Sequence, residues 1–469
     1  MEKVGVLVVS YGSREAAMVD AFLRSGEYKV ELYVADKQAN PFNLKNAAKH
    51  VVIPDLNIEA ICHFAETNRD NIDFGIVGPE KPIIEGIRDL IEKRTHIPMI
   101  CPTKEFAIEE SKVQQRLLFE KIVPEVNPRF RIFNSKDYKT DAEVKKAVYD
   151  WLDELDNQAV VKPDKPVAGK GVGVWGDHFS NREQLFEHFM SNFQYGSVII
   201  EERIEGEESS FQAFSDGKHL APLPDTRDYK RAFDSDKGPN TGGMGSYRDV
   251  GDKLPFLASD DRAKELEIVN RVFERWKQQD TTGLRGVPLY VAFMHTDKEP
   301  KILENNSRPG DPEIMNILPI LKDDFVDVCF KILEGNLSRV ELEKTATVVT
   351  YKAPPTYGGY ATTFPDLVRK DEIDKPVDLA KAYALNRKYG DRIRVYPGAI
   401  ELRNRETYAL KSRAVAVVGV GRDIEAARQI SLEGVSAISG GALWHRTDIA
   451  SEQHIAASKR HMEALRSKP

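Results

Sequence analysis

Residues 303–313 read LENNSRPGDPE, an apolar strand that ends in polar side chains and runs into a proline-bracketed turn. Glu304 and Asn306 alternate by two, which puts both side chains on one face of an extended strand. Two hard oxygen donors on one face suit Mg2+, which takes few protein ligands and completes its shell with water and phosphate. Arg308 follows as a planar fork suited to a bidentate carboxylate contact. The plainer alternative is a polar strand end with an ordinary Asp-Pro turn.

Upstream, AVVKP (159–163) and VGVW (172–175) flank the loop DKPVAGKG (164–171). Glycines let backbone amides approach phosphate oxygens, and Lys170 between two of them adds charge. The GxxxxGK run with Ser or Thr of a P-loop is absent, and a glycine-rich hairpin taken alone is more often a turn. Lys162 closes the apolar run AVVK immediately before that loop, within reach of the same anion, although strand-end lysines are usually solvated. In EERIEGEES (201–209) an open strand edge would offer backbone groups to a purine, with Glu208 accepting from ribose hydroxyls. Charge runs of this kind are normally solvated faces. GPNTGGMG (238–245), preceded by DTRDYKR (225–231), is a loop whose ordering carries a large entropic cost; it makes sense around a ligand, yet a plain flexible loop has the same composition.

Around these motifs the first hundred residues alternate strand and helix signals: strands over Val4–Val9, Lys29–Val34 and Phe74–Val77, helices over Glu15–Arg24 and Ile83–Glu92. That alternation predicts a parallel sheet with crossovers, closing near Pro98–Pro102 and followed by a helix from about Thr103. Further on, Asp216-Gly217 predicts a tight hairpin between Ser209–Phe214 and Leu220–Leu223. A polar helix over Asp261–Trp276 precedes the strands PLYVAFM (288–294) and PKILENN (300–306). From about residue 340 a smaller α/β module carries the strands ATVVTY and RAVAVVGV. At 469 residues the chain exceeds one compact core and predicts about three domains.

The formal charge is -7 with Lys and Arg scattered, which argues against nucleic acid as the main partner. No apolar stretch reaches membrane-spanning length, and the start MEKVGVLVVSYGSRE has no basic-then-apolar signal, so a cytoplasmic protein without membrane partners is expected. Three cysteines without CxxC spacing predict a reduced protein, and ten histidines without HxH or HExxH spacing make a histidine-built zinc site improbable.

Lys112, Lys162, the AGKG loop, EERIEGEES and LENNSRPGDPE, in this order and at these separations, resemble the ATP-grasp fold. GPNTGGMG with RDYKR before it and NSRPGDPE after it is similar to the phosphoribosylamine–glycine ligase (glycinamide ribonucleotide synthetase) family, as are VGPEKP (77–82) and HRTDIAS (445–451). The resemblance implies an α/β and α+β multidomain architecture. A Rossmann-like parallel-sheet domain (1–103) would bind phosphoribosylamine, followed by an ATP-grasp domain (104–339, lid about 128–199) and a small C-terminal α/β domain (340–469). It implies an ATP-dependent ligase of purine biosynthesis using Mg2+ or Mn2+, acting on glycine and 5-phosphoribosylamine as a monomer or weak homodimer. Lys112 and Lys162 would contact ATP phosphates and Lys170 would lie in the covering loop. Glu201 and Ile204 would bind adenine through backbone groups, Glu208 the ribose, and Glu304 with Asn306 the metal. Asp225, Lys230, Asn240, Thr241 and Arg308 would line the glycine and ribosylamine pocket, with Gly12, Ser13, Arg14 and Glu80 holding the ribose phosphate. The phosphate would sit at the first helix start, where free amides and the helix dipole favour an anion. Because the other motifs all follow residue 110, Arg14 is expected to act on phosphoribosylamine alone. The family's GxGGREHA turn reads here Ser10-Tyr11-Gly12-Ser13-Arg14-Glu15-Ala16-Ala17. Alternatives on the residues alone are a related ATP-grasp ligase joining another acid and amine, and a nucleotide-binding sensor without turnover. A dinucleotide oxidoreductase is disfavoured because GxGxxG is missing from the first βα unit.

Overall fold

The near-continuous apolar runs of the first hundred residues become an all-parallel sheet buried on both faces, the arrangement such runs require. The computed structural model describes residues 1–165 and 171–467, so Lys170 lies outside the described residues. Strands β1 (Glu2–Ser10), β2 (Tyr28–Asp36), β3 (Lys49–Val52), β4 (Phe74–Val77) and β5 (Met99–Ile100) stand in the order β3-β2-β1-β4-β5. Every pairing is parallel. Chain order reverses between β1 and β4, and this leaves a crevice at their carboxyl ends, bounded by Tyr11–Arg14 and Gly78–Glu80. The helix expected over Ile83–Glu92 is two helices, Glu80–Glu85 and Ile87–Thr95, because Gly86 between them adopts a left-handed φ of 90°. The helix expected from Thr103 begins at Lys112 instead, after two 3-10 turns, where the Ser111 hydroxyl accepts from the Gln114 N–H at 3.1 Å and caps it.

Strands β6 (Phe130–Phe133), β7 (Ala159–Pro163), β8 (Gly173–Val174) and β9 (Val198–Glu202) form a second, antiparallel sheet in the order β6-β9-β7-β8. With the helices Asp141–Glu154 and Arg182–Phe193 it encloses its own core of Phe133, Val148, Trp151, Val161, Phe189 and Ile200. The third sheet is built on β10 (Glu207–Asp216) and β11 (Leu220–Pro222), whose connecting turn has Gly217 at φ 90°. The Asp216 carboxylate accepts the Lys218 and His219 N–H groups at 2.7 Å, and the hairpin predicted at Asp216-Gly217 stands.

Downstream come β12 (Arg227–Asp228), β13 (Arg231–Phe233), β14 (Lys237–Asn240) and β15 (Gly245–Arg248). After the helix Asp261–Lys277 follow β16 (Arg285–Gly286), β17 (Tyr290–His295) and β18 (Lys301–Asn306). The third sheet runs β11-β10-β17-β18 with β16 beside β10. The last region holds β19 (Ala346–Lys352), β20 (Ile393–Pro397), β21 (Ile400–Arg403), β22 (Glu406–Ala409) and β23 (Val415–Gly421). Its main sheet, β12-β15-β19-β23-β20, crosses the expected boundary at residue 340: buried β15 pairs antiparallel with β19, so the C-terminal sheet carries Gly245, the end of GPNTGGMG, while its start lies in the separate β13-β14 hairpin. Among the described residues no helix is long and apolar enough to cross a membrane, and Cys62, Cys101 and Cys329 are free and buried.

The helix Ile424–Ser436 lies so close on β23 that a Cβ on Gly419 would stand 2.0 Å from the Ala427 carbonyl oxygen. A helix backbone cannot move aside as a flexible side chain would. Gly419→Ala is therefore expected to destabilise the protein by about 1–3 kcal/mol, read as a lower urea midpoint at unchanged m-value, whereas Gly26→Ala, with open space around it, should not.

Candidate active site

Glu304, on β18, faces four cations from four parts of the chain. Burial raises its carboxyl pKa, and Lys230, Lys112, Lys162 and Arg308 more than reverse that, so it ends below the ordinary value. Its carboxylate makes no hydrogen bond or ion pair with any described residue, and neither does the Asn306 side chain two positions on. Unpartnered hard oxygens beside a cationic cleft fit a divalent ion coordinated between protein and phosphate. No cluster of three or more His, Cys, Asp and Glu among the described residues offers a denser cage.

The two lysines are set by the junction of the second sheet with the helix Lys112–Ile122. Asp164, just past β7, accepts the Ser111 hydroxyl at 2.6 Å and the Val113 N–H at 3.0 Å, and its carbonyl accepts the Lys112 N–H at 3.1 Å. This places Lys112 beside the end of the strand that carries Lys162. Lys162 is not the solvated strand end its position suggests: its side chain is 12% exposed and Nζ donates to Glu201 Oε2 at 2.7 Å. Burial lowers its pKa, with Glu201 opposing. Burial pushes the Glu201 carboxyl up, and Arg116 and Lys162 bring it down to about 2. The Glu201 side chain is therefore committed to these cations, which leaves only its backbone for a base. The open strand edge expected here is absent, because β9 is paired on both sides, with Glu201 opposite Phe130 of β6 and Val160 of β7; Arg203 still donates to the Gln158 carbonyl, and Ile204 is the first residue past the paired backbone.

Lys230 pairs with Glu208 on β10, and burial, which lowers its pKa, is outweighed by Glu208, Glu304 and Asp228. Asp228 is the aspartate beside it: burial and the Glu313 carboxylate raise its pKa well above the ordinary range. Asp225, expected in this wall, lies elsewhere. It is 1% exposed and paired with Arg262, beside Glu265, on the far side of β10, because the two intervening residues, Thr226 (paired with Ser210) and Arg227, carry the chain across the sheet. Asn240 ends β14 opposite Arg231, and the Thr241 hydroxyl donates to the Lys230 carbonyl at 2.9 Å, so it shapes the turn rather than standing free for substrate.

The N-terminal loop departs furthest from expectation. The Tyr11 and Gly12 N–H groups donate to Glu15 Oε2 at 3.1 and 2.8 Å, so of the residues expected to hold a phosphate Gly12 has its amide serving a buried carboxylate of the same helix. Gly78 of VGPEKP is the space for it: a Cβ there would sit 1.8 Å from Glu15 Oε1. The Ser13 hydroxyl donates to the Tyr396 carbonyl at 2.9 Å. Arg14 is 2% exposed, bonds Glu15 at 2.6 Å and donates to the Pro309 carbonyl at 2.9 Å. Glu80 bridges outward, 4.0 Å from Arg14 and 3.7 Å from Arg308, and Arg308 also reaches Glu109 at 3.3 Å. Arg14 and Pro309, 295 positions apart in sequence, are thus joined in space, and the N-terminal loop packs directly on the turn that follows Arg308.

Residues that sequence reasoning missed are Arg116, Glu109, Asp228, Glu313 and Arg413. Arg116 stands one helical turn after Lys112, a spacing that puts it on the same face. Asp228 and Glu313 lie inside quoted motifs, and only the fold says which way they point. Arg413 gives no local signal. It comes from the C-terminal module, pairs with Asp311 at 2.8 Å, donates to the Gly242, Gly243 and Asp311 carbonyls, and lies 4.5 Å over the Tyr351 ring.

The chain matches two family domains: Phosphoribosylglycinamide synthetase, N domain, over residues 4–110, and Phosphoribosylglycinamide synthetase, ATP-grasp (A) domain, over residues 125–314. A phosphoribosylamine–glycine ligase of Methanocella arvoryzae is 36% identical, over 98% of this chain and 99% of its own length. The chain belongs to the phosphoribosylamine–glycine ligase family. A second family member, from Pyrococcus furiosus, is 34% identical over 99% of this chain and 98% of its own. The crystal structure of the ligase from Thermotoga maritima superposes with a TM-score of 0.72 at 24% identity, covering 95% of this chain and 100% of that one, a likeness of fold. N5-carboxyaminoimidazole ribonucleotide synthetase from the same organism shares the architecture at a TM-score of 0.58 and 14% identity, covering 94% and 99%.

Within this ligase-family site, Glu201 carries a pH dependence. Its pKa is depressed in the fold, so its contribution to stability is complete above the ordinary value of 4.5 and is lost as pH falls toward about 2. Glu201→Gln is expected to lose less urea-unfolding free energy than the wild type between about pH 5 and about pH 3. Equal losses would remove Glu201 from the acid response.

Proposed function

We propose that this chain ligates glycine to 5-phosphoribosylamine at the expense of ATP, giving glycinamide ribonucleotide, ADP and phosphate. The observation that carries this reading is the convergence of Lys112, Lys162, Lys230 and Arg308 on the unpartnered Glu304 carboxylate, in a chain alignable end to end with its ligase relatives. On the same reading residues 1–103 take phosphoribosylamine, 104–339 bind ATP under a lid of residues 128–199, and 340–469 complete the wall.

A carboxylate does not condense with an amine at neutral pH because oxide is a poor leaving group. A glycine carboxylate oxygen therefore attacks the γ-phosphorus, the bond to the β-phosphate breaks, and ADP leaves with glycyl phosphate in place. The ribosylamine nitrogen then attacks the glycyl carbon, phosphate departs with the C–O electron pair, and the nitrogen loses a proton to form the amide. No protein nucleophile is required. Lys112 and Lys162 hold phosphate oxygens in line and neutralise their charge, and Lys230 and Arg308 lie where the glycine carboxylate enters. Glu304 and Asn306 would hold Mg2+, which when bound offsets negative charge on the phosphates. The second sheet, with a core of its own, is the element suited to close over the acyl phosphate and exclude water.

Two measurements test this. ADP release is expected only when glycine and phosphoribosylamine are supplied together, and a requirement for a different acid or amine would overturn the substrate assignment. Glu304→Ala is expected to raise the Mg2+ concentration for half-maximal rate by about tenfold or more. Metal-free ADP binding should stay unchanged or tighten, because a negative charge leaves the phosphate cleft. An unaltered Mg2+ dependence would place the metal on other residues.

A further inference from the structure

Arg116 is the most heavily committed cation near the nucleotide lysines. Its side chain is 3% exposed and grips Glu201 with both edges of the fork, Nε to Oε1 at 2.6 Å and Nη2 to Oε2 at 3.2 Å. The same guanidinium donates to Asn127 Oδ1 and the Ile302 carbonyl at 3.0 Å each, and to the Leu303 carbonyl. Asn127 is held in turn, donating to the Arg116 carbonyl at 3.1 Å and to Glu120 at 2.9 Å. Arg116 thus joins three elements: its own helix, strand β9 through Glu201, and β18 one residue before Glu304. Glu201 Oε2 is shared between Arg116 and Lys162.

We propose that Arg116 is a positioning residue for ATP: it holds and neutralises Glu201, so that Glu201 orients the Lys162 ammonium without cancelling its charge toward the phosphates. This rests on the assignment of Lys162 to the ATP phosphates. The arithmetic of charge makes the point. Arg116, Glu201 and Lys162 together carry one net positive charge, which Lys162, the member nearest the cleft, presents to ATP. Without Arg116, Glu201 and Lys162 form a buried neutral pair, and Lys162 moves to a phosphate only by stripping a buried carboxylate of its last partner, an expensive exchange. The fork geometry matters as well, since a planar bidentate contact fixes the orientation of the carboxylate where a single ammonium does not.

The test is steady-state ADP release with ATP varied, together with calorimetric ADP binding. Arg116→Met is expected to raise KM for ATP and Kd for ADP by about tenfold or more with a smaller change in kcat. The double variant Arg116→Met/Glu201→Gln should recover most of that loss, because the carboxylate that captures Lys162 is gone. Arg116→Lys, which keeps the charge and loses the fork, should fall between the two. Should Arg116→Met not fold, Glu201→Gln alone decides: the amide oxygen still accepts from Lys162 and keeps it oriented while the negative charge is gone, and ATP binding is expected to be unchanged or tighter. Wild-type ATP binding in Arg116→Met, a double variant no better than the single, or a Glu201→Gln variant with weakened ATP binding overturns the proposal. Lys162→Met separates the two levels of the argument. An unchanged KM for ATP in that variant refutes the placement of Lys162 on the phosphates, whereas a raised KM there with a normal one in Arg116→Met refutes the role of Arg116 alone.

Discussion

Several cations share one half-buried cleft only if carboxylates stand among them to offset their repulsion, and that constraint arranges this molecule. Lys162 rests on Glu201, Lys230 on Glu208, and Arg308 between Glu109 and Glu80. Glu304 faces these cations without touching one. Buried ion pairs add little net stability when formed and are costly to break, so the value of these pairs lies in where they hold the ammonium and guanidinium groups. Each supporting carboxylate comes from a different element: Glu201 from β9, Glu208 from β10, Glu109 from a turn before the helix Lys112–Ile122. Displacing any one of these elements disturbs the charge balance of the whole cleft.

The same logic explains why the C-terminal module belongs to the site. The glycine-rich segment Gly242–Gly243 and the turn at Asp311 meet edge to edge, and glycine backbone carries no side chain to hold it. Arg413 supplies that hold, donating to three carbonyls and pairing with Asp311. HRTDIAS acts in parallel: Arg446 bonds Asp236, Asp448 and the Arg231 carbonyl, and Thr447 bonds Asp234, pinning the hairpin of β13 and β14. On the other face of β10, Ser209 and His295 meet Glu265 at 2.6 and 2.9 Å, and Asp225 pairs with Arg262. That buried polar layer anchors the strand whose adjacent side chain, Glu208, faces the cleft. Asp225 thus contributes to the site from behind, as support for the strand.

Two misreadings share a cause. DTRDYKR contains two aspartates, and which of them faces Lys230 depends on where the chain crosses β10, a matter of sheet pairing that local spacing does not encode. In SYGSREAA a loop entering a helix suggested free amides for an anion, but Glu15, three residues after Gly12, closes a capping contact on them. The E/Q at that spacing was visible in the sequence. What was not visible is that Gly78, from another strand, leaves the space in which the carboxylate is buried.

The sequence by itself determined the elements and the chemistry. Period-two and continuous apolar runs specified the parallel sheet and the strands β10, β17 and β18, Asp216-Gly217 specified a hairpin, and the ordered motifs specified an ATP-grasp ligase. The runs and the hairpin are short-range signals, set by side-chain alternation and turn stereochemistry within a few residues, whereas the ligase reading rests on the resemblance of motifs spread along the chain to a known family. Tertiary structure alone decided that β15 joins the C-terminal sheet, that Arg14 reaches Pro309, that Arg116 shares Glu201 with Lys162, and that Arg413 clamps loops more than a hundred residues away. Each of those is a contact between one donor and a backbone or carboxylate group present in many places along the chain. Only the packing of whole sheets against one another selects which of these equivalent acceptors lies within hydrogen-bond reach.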